Sequence, residues 1–238
     1  MNTKTTQANN NFEPTINRRQ KGQKLNHQYL LFDMDGTLID SMDEWYGLIA
    51  KFLEQHGGLI SDQMRQEILR MRVSEVAQYM HENIMPEQTP ADITRSIYDL
   101  MAQHYREDVT IKPGVVEYLT RCRQEGRRLA VVTATARELA LPVLERLQLD
   151  SYFDLFLSTR DIGVNKTEPD IYVQASRELG AQTNSQAAVF EDAPYALETA
   201  AKAGFYTILL DDPVYREEQV NYIHLADEYY MTMEELLG

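Results

Sequence analysis

The chain has 238 residues, of which 43% are hydrophobic and 25% charged, with a formal net charge of −14. This length can bury one good core with room for a smaller second lobe, and the acidic balance argues against a nucleic-acid-binding surface. No apolar run could span a membrane, the N-terminus lacks the apolar core of a signal peptide, and the single Cys122 precludes an internal disulfide. We expect a cytoplasmic monomer or weak homodimer without a nucleic-acid or membrane partner.

The N-terminal part of the chain changes character near residue 28. Residues 1–27 are rich in Asn, Gln, Thr and Lys and show no apolar periodicity, which predicts a disordered polar leader. The apolar run Tyr29–Phe32 follows and is bounded by a turn signal. Such a run is typical of a buried strand in a parallel sheet.

The pattern after Ser41 is helical. Apolar residues recur at three- and four-residue spacing from Met42 up to the Gly57-Gly58 pair, which predicts an amphipathic helix. Three more helices are predicted behind the N-caps Ser61, Ser74 and Thr89, reaching about Arg72, Asn83 and Glu107. No convincing strand lies between residues 41 and 110. The sequence thus predicts an all-helical insertion at 41–110 between two parts of an α/β core, 28–40 and 111–238.

Strands and helices alternate from Lys112 onwards. The predicted strands are Leu129–Val132, Leu155–Leu157, Ala187–Phe190 and Tyr206–Leu210. The predicted helices end near Glu125, Leu147, Gly180 and Ala203. This alternation implies right-handed crossovers and a Rossmann-like parallel sheet covered on both faces, whose ligand crevice lies outside the carboxyl ends of the strands.

Two aspartates, Asp33 and Asp35, directly follow the first predicted strand. Because strand side chains repeat every two residues, both carboxylates point to the same side. Gly36 then lets the chain turn with little steric cost. Converging carboxylates repel each other unless a cation, a proton or phosphoryl chemistry holds them together. The pattern favours a functional site, although Asp also often only caps a turn.

Polar residues also follow the later strands. Thr133 ends the second strand, Lys166 lies in the loop after the third, and Glu191 and Asp192 end the fourth. Taken singly, Thr133 suits a helix cap, Lys166 a solvated loop and the acidic pair another cap. Together at one edge of a sheet, they predict a single site.

Asp40 and Ser41 come just after the turn. They could orient it or cap the following helix, and the cap is the favoured interpretation. Arg65, Arg70 and Arg72 could reach an anionic substrate group from the insertion, but a charged helical stretch more often faces solvent.

These motifs resemble those of the haloacid dehalogenase superfamily over nearly all of residues 29–212. The first family motif, Asp-x-Asp-Gly-Thr after a strand, is present at 33–37, and the second, a strand ending in Thr or Ser, ends at Thr133. The motif lysine corresponds to Lys166, and the acidic pair to Glu191-Asp192. The helical insertion resembles the cap of the subgroup containing β-phosphoglucomutase-like enzymes and phosphoglycolate phosphatases.

The chain departs from the family pattern at positions next to the motif residues. Asn165 and Thr167 replace the usual Gly and Pro around the lysine, and Ala193 and Ala196 stand where Ser and Gly are common. These changes lie at backbone positions or beside the motif residues. We therefore expect them to adjust how the motif residues work more than to change the type of reaction.

The resemblance implies a role for each motif residue. Asp33 would attack phosphorus to form an aspartyl-phosphate, and Asp35 would act as general acid and then base. Mg²⁺ would be held by Asp33, the Asp35 backbone carbonyl and Asp192, with Glu191 either a ligand or a partner of one. Lys166 would neutralise charge on the phosphate and the nucleophile. The Thr133 hydroxyl and the Ala134 amide would bind a phosphoryl oxygen.

The expected function is Mg²⁺-dependent hydrolysis of small phosphate monoesters, such as a sugar phosphate or similar metabolite. A phosphomutase of the β-phosphoglucomutase type shares these residues, but residues 42–45 lack the histidine that such mutases place there. Haloalkanoate dehalogenation fits poorly, because that branch lacks an acid–base Asp at the position of Asp35. A catalytically silent binding protein of the same fold stays open, although the intact motif set argues against it.

Overall fold

The computed structural model describes residue 19, residues 23–58, residue 71 and residues 73–238, apart from the side chains of 43–46. Within these residues the strands are β1 (Tyr29–Phe32), β2 (Ile39–Asp40), β3 (Thr110–Ile111), β4 (Arg128–Thr133), β5 (Leu155–Ser158), β6 (Ala187–Glu191), β7 (Tyr206–Leu210) and β8 (Glu228–Tyr230). The main sheet has six parallel strands in the order β5-β4-β1-β6-β7-β8. The predicted parallel sheet is confirmed.

The helices of the described residues are α1 (Met42–Gln55), α2 (Val73–Asn83), α3 (Pro90–Glu107), α4 (Val115–Gln124), α5 (Arg137–Arg146), α6 (Thr159–Ile162), α7 (Asp170–Leu179), α8 (Pro194–Lys202) and α9 (Arg216–Gln219). None of them is long and apolar enough to cross a lipid bilayer. The helix predicted from Ser61 to Arg72 lies outside the described residues, as do Arg65, Arg70 and Arg72.

Strand β1 lies in the interior of the sheet, and its residues Leu30, Leu31 and Phe32 are buried. It pairs with β4 on one side and β6 on the other. Leu30 and Phe32 face one apolar layer and Leu31 the opposite one, as the two-residue period requires. The ring of Phe32 stacks on Phe190 of β6, with ring centroids 4.3 Å apart. Residues after β1 are therefore held from both sides.

Helices α1, α2 and α3 are inserted between β1 and β4, so the predicted α/β fold with a helical cap is confirmed. Thr89 is the N-cap of α3, where its hydroxyl accepts from the Asp92 amide, as predicted. Ser74 lies inside α2 instead of capping it. The exact limits of the insertion, 41–110, stay a prediction, because one apolar cluster runs from Ile97 of α3 to Val143 of α5 without a break.

Two short strands that the sequence pattern did not predict flank the insertion, and of their residues only Thr110 falls within 41–110, the range for which no strand was predicted. Strands β2 and β3 form an antiparallel pair in which Ile39 faces Ile111 and Asp40 faces Thr110. Strand β8 was also not predicted. Segments of two or three residues carry too little alternation for a sequence pattern to reveal them.

The described part of the predicted leader packs on the core. Leu25 is buried, and the Arg127 guanidinium donates to the carbonyls of Leu25 and His27 at 2.6 and 3.1 Å. Arg19 donates from Nε to the buried carboxylate of Glu228 at 2.8 Å. The predicted disorder therefore does not apply to residue 19 or to 23–27, and residues 1–18 and 20–22 lie outside the described residues.

Candidate active site

The predicted polar residues converge at the carboxyl edge of the sheet. Asp33 directly follows β1, and its amide donates to the Phe190 carbonyl of β6 at 2.9 Å. Four of the predicted side chains, Asp33, Lys166, Glu191 and Asp192, are at least 93% buried there together. Burial of so many ionisable groups is costly unless they satisfy one another.

Lys166 provides the balancing positive charge. Its ammonium donates to Oδ1 of Asp33 and, at 2.5 Å, to Oε1 of Glu191. Burial alone would lower the pKa of Lys166, but the two carboxylates outweigh it and raise that pKa above its usual range. Lys166 is therefore a fixed cation beside Asp33 and not the solvated loop lysine that its position alone would suggest.

Both carboxylate oxygens of Glu191 are engaged within the protein. Oε1 accepts from Lys166 and from the Tyr172 hydroxyl at 3.0 Å, and Oε2 accepts from the backbone amides of Asp192 and Ala193 at 3.1 Å each. This arrangement favours Glu191 as the residue that positions Lys166. Tyr172 was not predicted, since a tyrosine on the apolar face of α7 suits the core equally well.

Asp192 is only partly satisfied. Its Oδ1 accepts from the Thr37 hydroxyl at 3.0 Å, whereas Oδ2 is buried and has no hydrogen-bond partner among the described residues. Burial, together with the carboxylates of Asp33 and Glu191, raises the pKa of Asp192 well above its usual value. Among the residues that the structure describes, no cation therefore forms an ion pair with the Asp192 side chain, although Lys112 acts on it from a distance.

A divalent cation fits this imbalance. Asp33, Glu191 and Asp192 each offer one carboxylate oxygen, and these atoms lie within 4.8 Å of one another. Burial and the carboxylates of Glu191 and Asp35 also raise the pKa of Asp33, against the opposing charge of Lys166. Buried carboxylate oxygens with an orphaned acceptor suit a hard cation such as Mg²⁺.

The turn after β1 brings the first motif against Asp192. The amides of Leu38 and Ile39 donate to the Met34 carbonyl at 2.8 and 3.0 Å. Gly36 has φ of 78°, and a Cβ atom there would lie 2.6 Å from Cγ of Asp192. Only glycine fits this close approach.

Three hydroxyl groups hold the carboxylate of Asp35. Ser41 and Tyr105 donate to Oδ1, and Thr135 donates to Oδ2, each at 2.7 Å. Ser41 stands at the N-cap position of α1, as favoured, but its hydroxyl makes no cap bond and binds Asp35 instead. Burial and the Asp35 carboxylate raise the pKa of Tyr105 well above its usual value, so its hydroxyl remains a donor.

Tyr105 and Thr135 were missed by sequence reasoning. Tyr105 follows the apolar periodicity of α3 and reads as a core residue, whereas Thr135 could have been suspected from its position two residues after Thr133. Lys112 was also missed, and its ammonium donates to the Gly36 carbonyl at 2.6 Å and to Asp212 at 2.9 Å. Through the Gly36 carbonyl, Lys112 stabilises the turn after β1.

The remaining predicted residues lie at the end of β4. Thr133 is buried, and its Oγ1 accepts from the Thr135 amide at 3.0 Å, which leaves its own proton available to donate. Ala134 is exposed next to it. Thr133 and Ala134 thus lie next to each other at the carboxyl edge of the sheet.

Comparison with known proteins agrees with this geometry. The sequence profile of the haloacid dehalogenase-like hydrolases matches residues 30–210. The chain is 25% identical over 179 residues to a phosphorylated carbohydrates phosphatase of Thermotoga maritima, covering 75% of this chain and 82% of that protein. It is 27% identical over 187 residues to a phosphoglycolate phosphatase of Aquifex aeolicus, covering 76% and 83%.

A solved structure supports the same fold. Crystalline CbbY from Rhodobacter sphaeroides, in complex with phosphate, superposes with a TM-score of 0.75 at 23% identity, covering 88% of this chain and 96% of that one. The profile match spans most of the chain and includes Asp33, Asp35, Lys166 and the Glu191-Asp192 pair. The chain therefore belongs to the haloacid dehalogenase-like hydrolase family.

Proposed function

We propose that the protein is a Mg²⁺-dependent phosphatase that hydrolyses small phosphate monoesters, such as sugar phosphates, through an aspartyl-phosphate on Asp33. The observation that carries this proposal is the ion pair between the buried Asp33 carboxylate and Lys166. Asp35, two residues further along the chain, accepts hydrogen bonds from three hydroxyl groups. A fixed nucleophile, a fixed cation and a positioned acid–base group are what phosphoryl transfer to a carboxylate requires. The relatives named as phosphatases support the same reaction class.

In the first half-reaction, a carboxylate oxygen of Asp33 forms a bond to phosphorus. The ester P–O bond breaks, and its electron pair goes to the alcohol oxygen, which takes the proton of Asp35. Lys166 offsets the repulsion between the anionic phosphate and Asp33. The Thr133 hydroxyl and the Ala134 amide would receive the phosphoryl oxygens at the end of β4.

In the second half-reaction, Asp35 is a carboxylate and takes a proton from water. The water oxygen forms a bond to phosphorus, and the P–O bond to Asp33 breaks with its electrons returning to the carboxylate. The hydroxyls of Ser41, Tyr105 and Thr135 donate to this carboxylate and hold it in place.

Asp33, Asp192 and the backbone carbonyl of Asp35 would hold the metal ion, with Glu191 fixing Lys166 beside them. When bound, Mg²⁺ would neutralise the excess carboxylate charge and add positive charge next to the phosphoryl oxygens.

The test is release of inorganic phosphate from a panel of phosphorylated metabolites and a generic aryl phosphate, with and without Mg²⁺. We expect turnover that disappears with chelator and with Asp33→Asn. Asp99→Asn, which changes an exposed carboxylate on α3, serves as the matched control and should retain full activity. Substrate ranking within the panel would then identify the ester class.

Two results would overturn the proposal. A stable, base-labile phosphoenzyme without phosphate release would indicate a mutase or transferase. Neither release nor phosphoenzyme from any ester would indicate a binding protein of the same fold.

A further inference from the structure

The carboxylate of Asp35 is bound unequally at its two oxygens. Oδ1 accepts two hydrogen bonds, from Ser41 and Tyr105, whereas Oδ2 accepts one, from Thr135. A carboxylate oxygen offers two lone pairs, so Oδ1 is fully used and Oδ2 keeps one free. Oδ2 is therefore the oxygen with room to exchange a proton with a substrate.

Tyr105 is the donor to Asp35 that comes from the inserted helices. It lies in the last turn of α3, and its side chain is buried. Arg146 of α5 fixes the backbone at this point, because its guanidinium donates to the carbonyls of Tyr105 at 3.0 Å and Val109 at 2.6 Å. The Tyr105 hydroxyl therefore reaches Asp35 from a backbone position that Arg146 holds in place.

We propose that Tyr105 is a positioning residue for the reaction, holding Oδ1 of Asp35 so that Oδ2 faces the leaving-group oxygen. This inference rests on the proposed phosphatase function. In the step that it affects, the proton moves from Oδ2 to the alcohol oxygen as the ester P–O bond breaks. Tyr105 itself neither gains nor loses a proton and does not touch the substrate.

The role predicts a dependence on the leaving group. An alkyl alcohol leaves as a strong base and needs the proton of Asp35, whereas p-nitrophenol leaves as a weak base and needs it little. The ratio kcat/KM covers the steps up to departure of the alcohol. Misplacing Oδ2 should therefore lower kcat/KM for the alkyl ester alone.

The experiment compares Tyr105→Phe with the wild type on an alkyl phosphate and on p-nitrophenyl phosphate, both with Mg²⁺. Loss of one hydrogen bond to a charged group predicts a fall of about tenfold to a hundredfold in kcat/KM for the alkyl ester. For p-nitrophenyl phosphate we expect a change within about twofold. The phenyl ring is kept, so the packing of α3 is preserved.

Tyr98→Phe is the matched control. Tyr98 lies two turns earlier on α3, and its ring contacts the Arg160 guanidinium and not Asp35. This variant should behave as wild type with both esters. Ser41→Ala removes the other donor to Oδ1 and should repeat the selective loss of Tyr105→Phe.

An equal loss on both esters, or a loss that is entirely a rise in KM, would overturn the positioning role. So would unchanged kcat/KM on the alkyl ester. The proposed function itself fails differently, since the wild type would then release no phosphate from any ester and Asp33→Asn would change nothing.

Discussion

The carboxylate of Asp192 lies directly against the backbone of Gly36. A Cβ atom at residue 36 would be 2.6 Å from Cγ of Asp192, and the backbone there has φ of 78°. This close approach brings the turn after β1 into direct contact with the end of β6, and we call the two together the contact unit. The effects expected of changes at Gly36, Asp192 and Lys166 depend on this contact unit and on the buried charges beside it.

Gly36→Ala should damage the site directly. The added methyl group would push Asp192 away and would sit on an unfavourable backbone conformation that costs about 1–3 kcal/mol. We expect a loss of at least about tenfold in kcat/KM, which corresponds to about 1.4 kcal/mol of transition-state stabilisation, together with a lower Tm. Gly47→Ala in α1 is the control, because none of the described atoms lies within 4 Å of the new methyl group and a helix favours alanine. Wild-type activity in Gly36→Ala would contradict the argument.

Asp192→Asn should change how the protein responds to Mg²⁺. A ligand that binds only the folded state raises stability, by about 2.7 kcal/mol at a hundred times its Kd. We expect Mg²⁺ to raise the Tm of the wild type and to have a much smaller effect on Asp192→Asn. With chelator present, the variant should be the more stable of the two, because it removes a buried charge whose Oδ2 is orphaned. Equal Mg²⁺ shifts in both proteins would exclude Asp192 as a ligand.

Lys166→Met should destabilise the fold as well as abolish activity. The change leaves the carboxylates of Asp33 and Glu191 buried without a cation, which costs about 3–5 kcal/mol. Urea unfolding measures this loss. Adding Glu191→Gln should recover part of the stability but none of the activity. Lys202→Met removes an exposed pair with Glu198 and should cost less than about 1 kcal/mol. A fully stable Lys166→Met would contradict the pairing.

Glu125 predicts an acid-sensitive contribution to stability. Partial burial opposes its ionisation, but hydrogen bonds from Lys24 and Arg127 outweigh this and lower its pKa from 4.5 to about 2. Because the folded pKa is the lower one, the stabilisation is present above about pH 4.5 and is lost as the pH falls towards 2.

The measurement is urea unfolding of the wild type and of Glu125→Gln over this pH range. Their difference in unfolding free energy should be largest above about pH 5 and should shrink at lower pH. Glu117→Gln, an exposed change on α4, the helix whose C-cap is Glu125, should show a much smaller trend. A difference that grows on acidification would contradict the assignment.

The sequence was sufficient to predict the sheet and the charged centre because both depend on local patterns. Apolar runs ending in Asp33, Thr133 and Glu191 indicate strands and their functional ends without any knowledge of neighbours. Lys166 was harder, since only its order among the motifs distinguished it from a solvated lysine.

Side-chain contacts that depend on the three-dimensional path of the chain could not be predicted in the same way. Ser41 suits an N-cap in sequence, yet the turn brings its hydroxyl within 2.7 Å of Asp35. Tyr105 approaches the same carboxylate from 70 residues along the chain. Neither contact leaves a periodic signal, because the first depends on the shape of the turn after β1 and the second on how α3 packs against α5.

The pairing of Asp40 with Thr110 across β2 and β3 closes the insertion at its base. Neighbouring strands are about 4.8 Å apart, so the chain leaves the core and returns to it almost at the same point. In effect the insertion is the loop of a very long hairpin, and a loop of two residues would span the same gap. Lengthening, shortening or exchanging the segment therefore leaves the register of the six-stranded sheet untouched. The insertion can therefore vary while the sheet stays fixed. An exchanged insertion would have to replace the hydrogen bond from Tyr105 to Asp35.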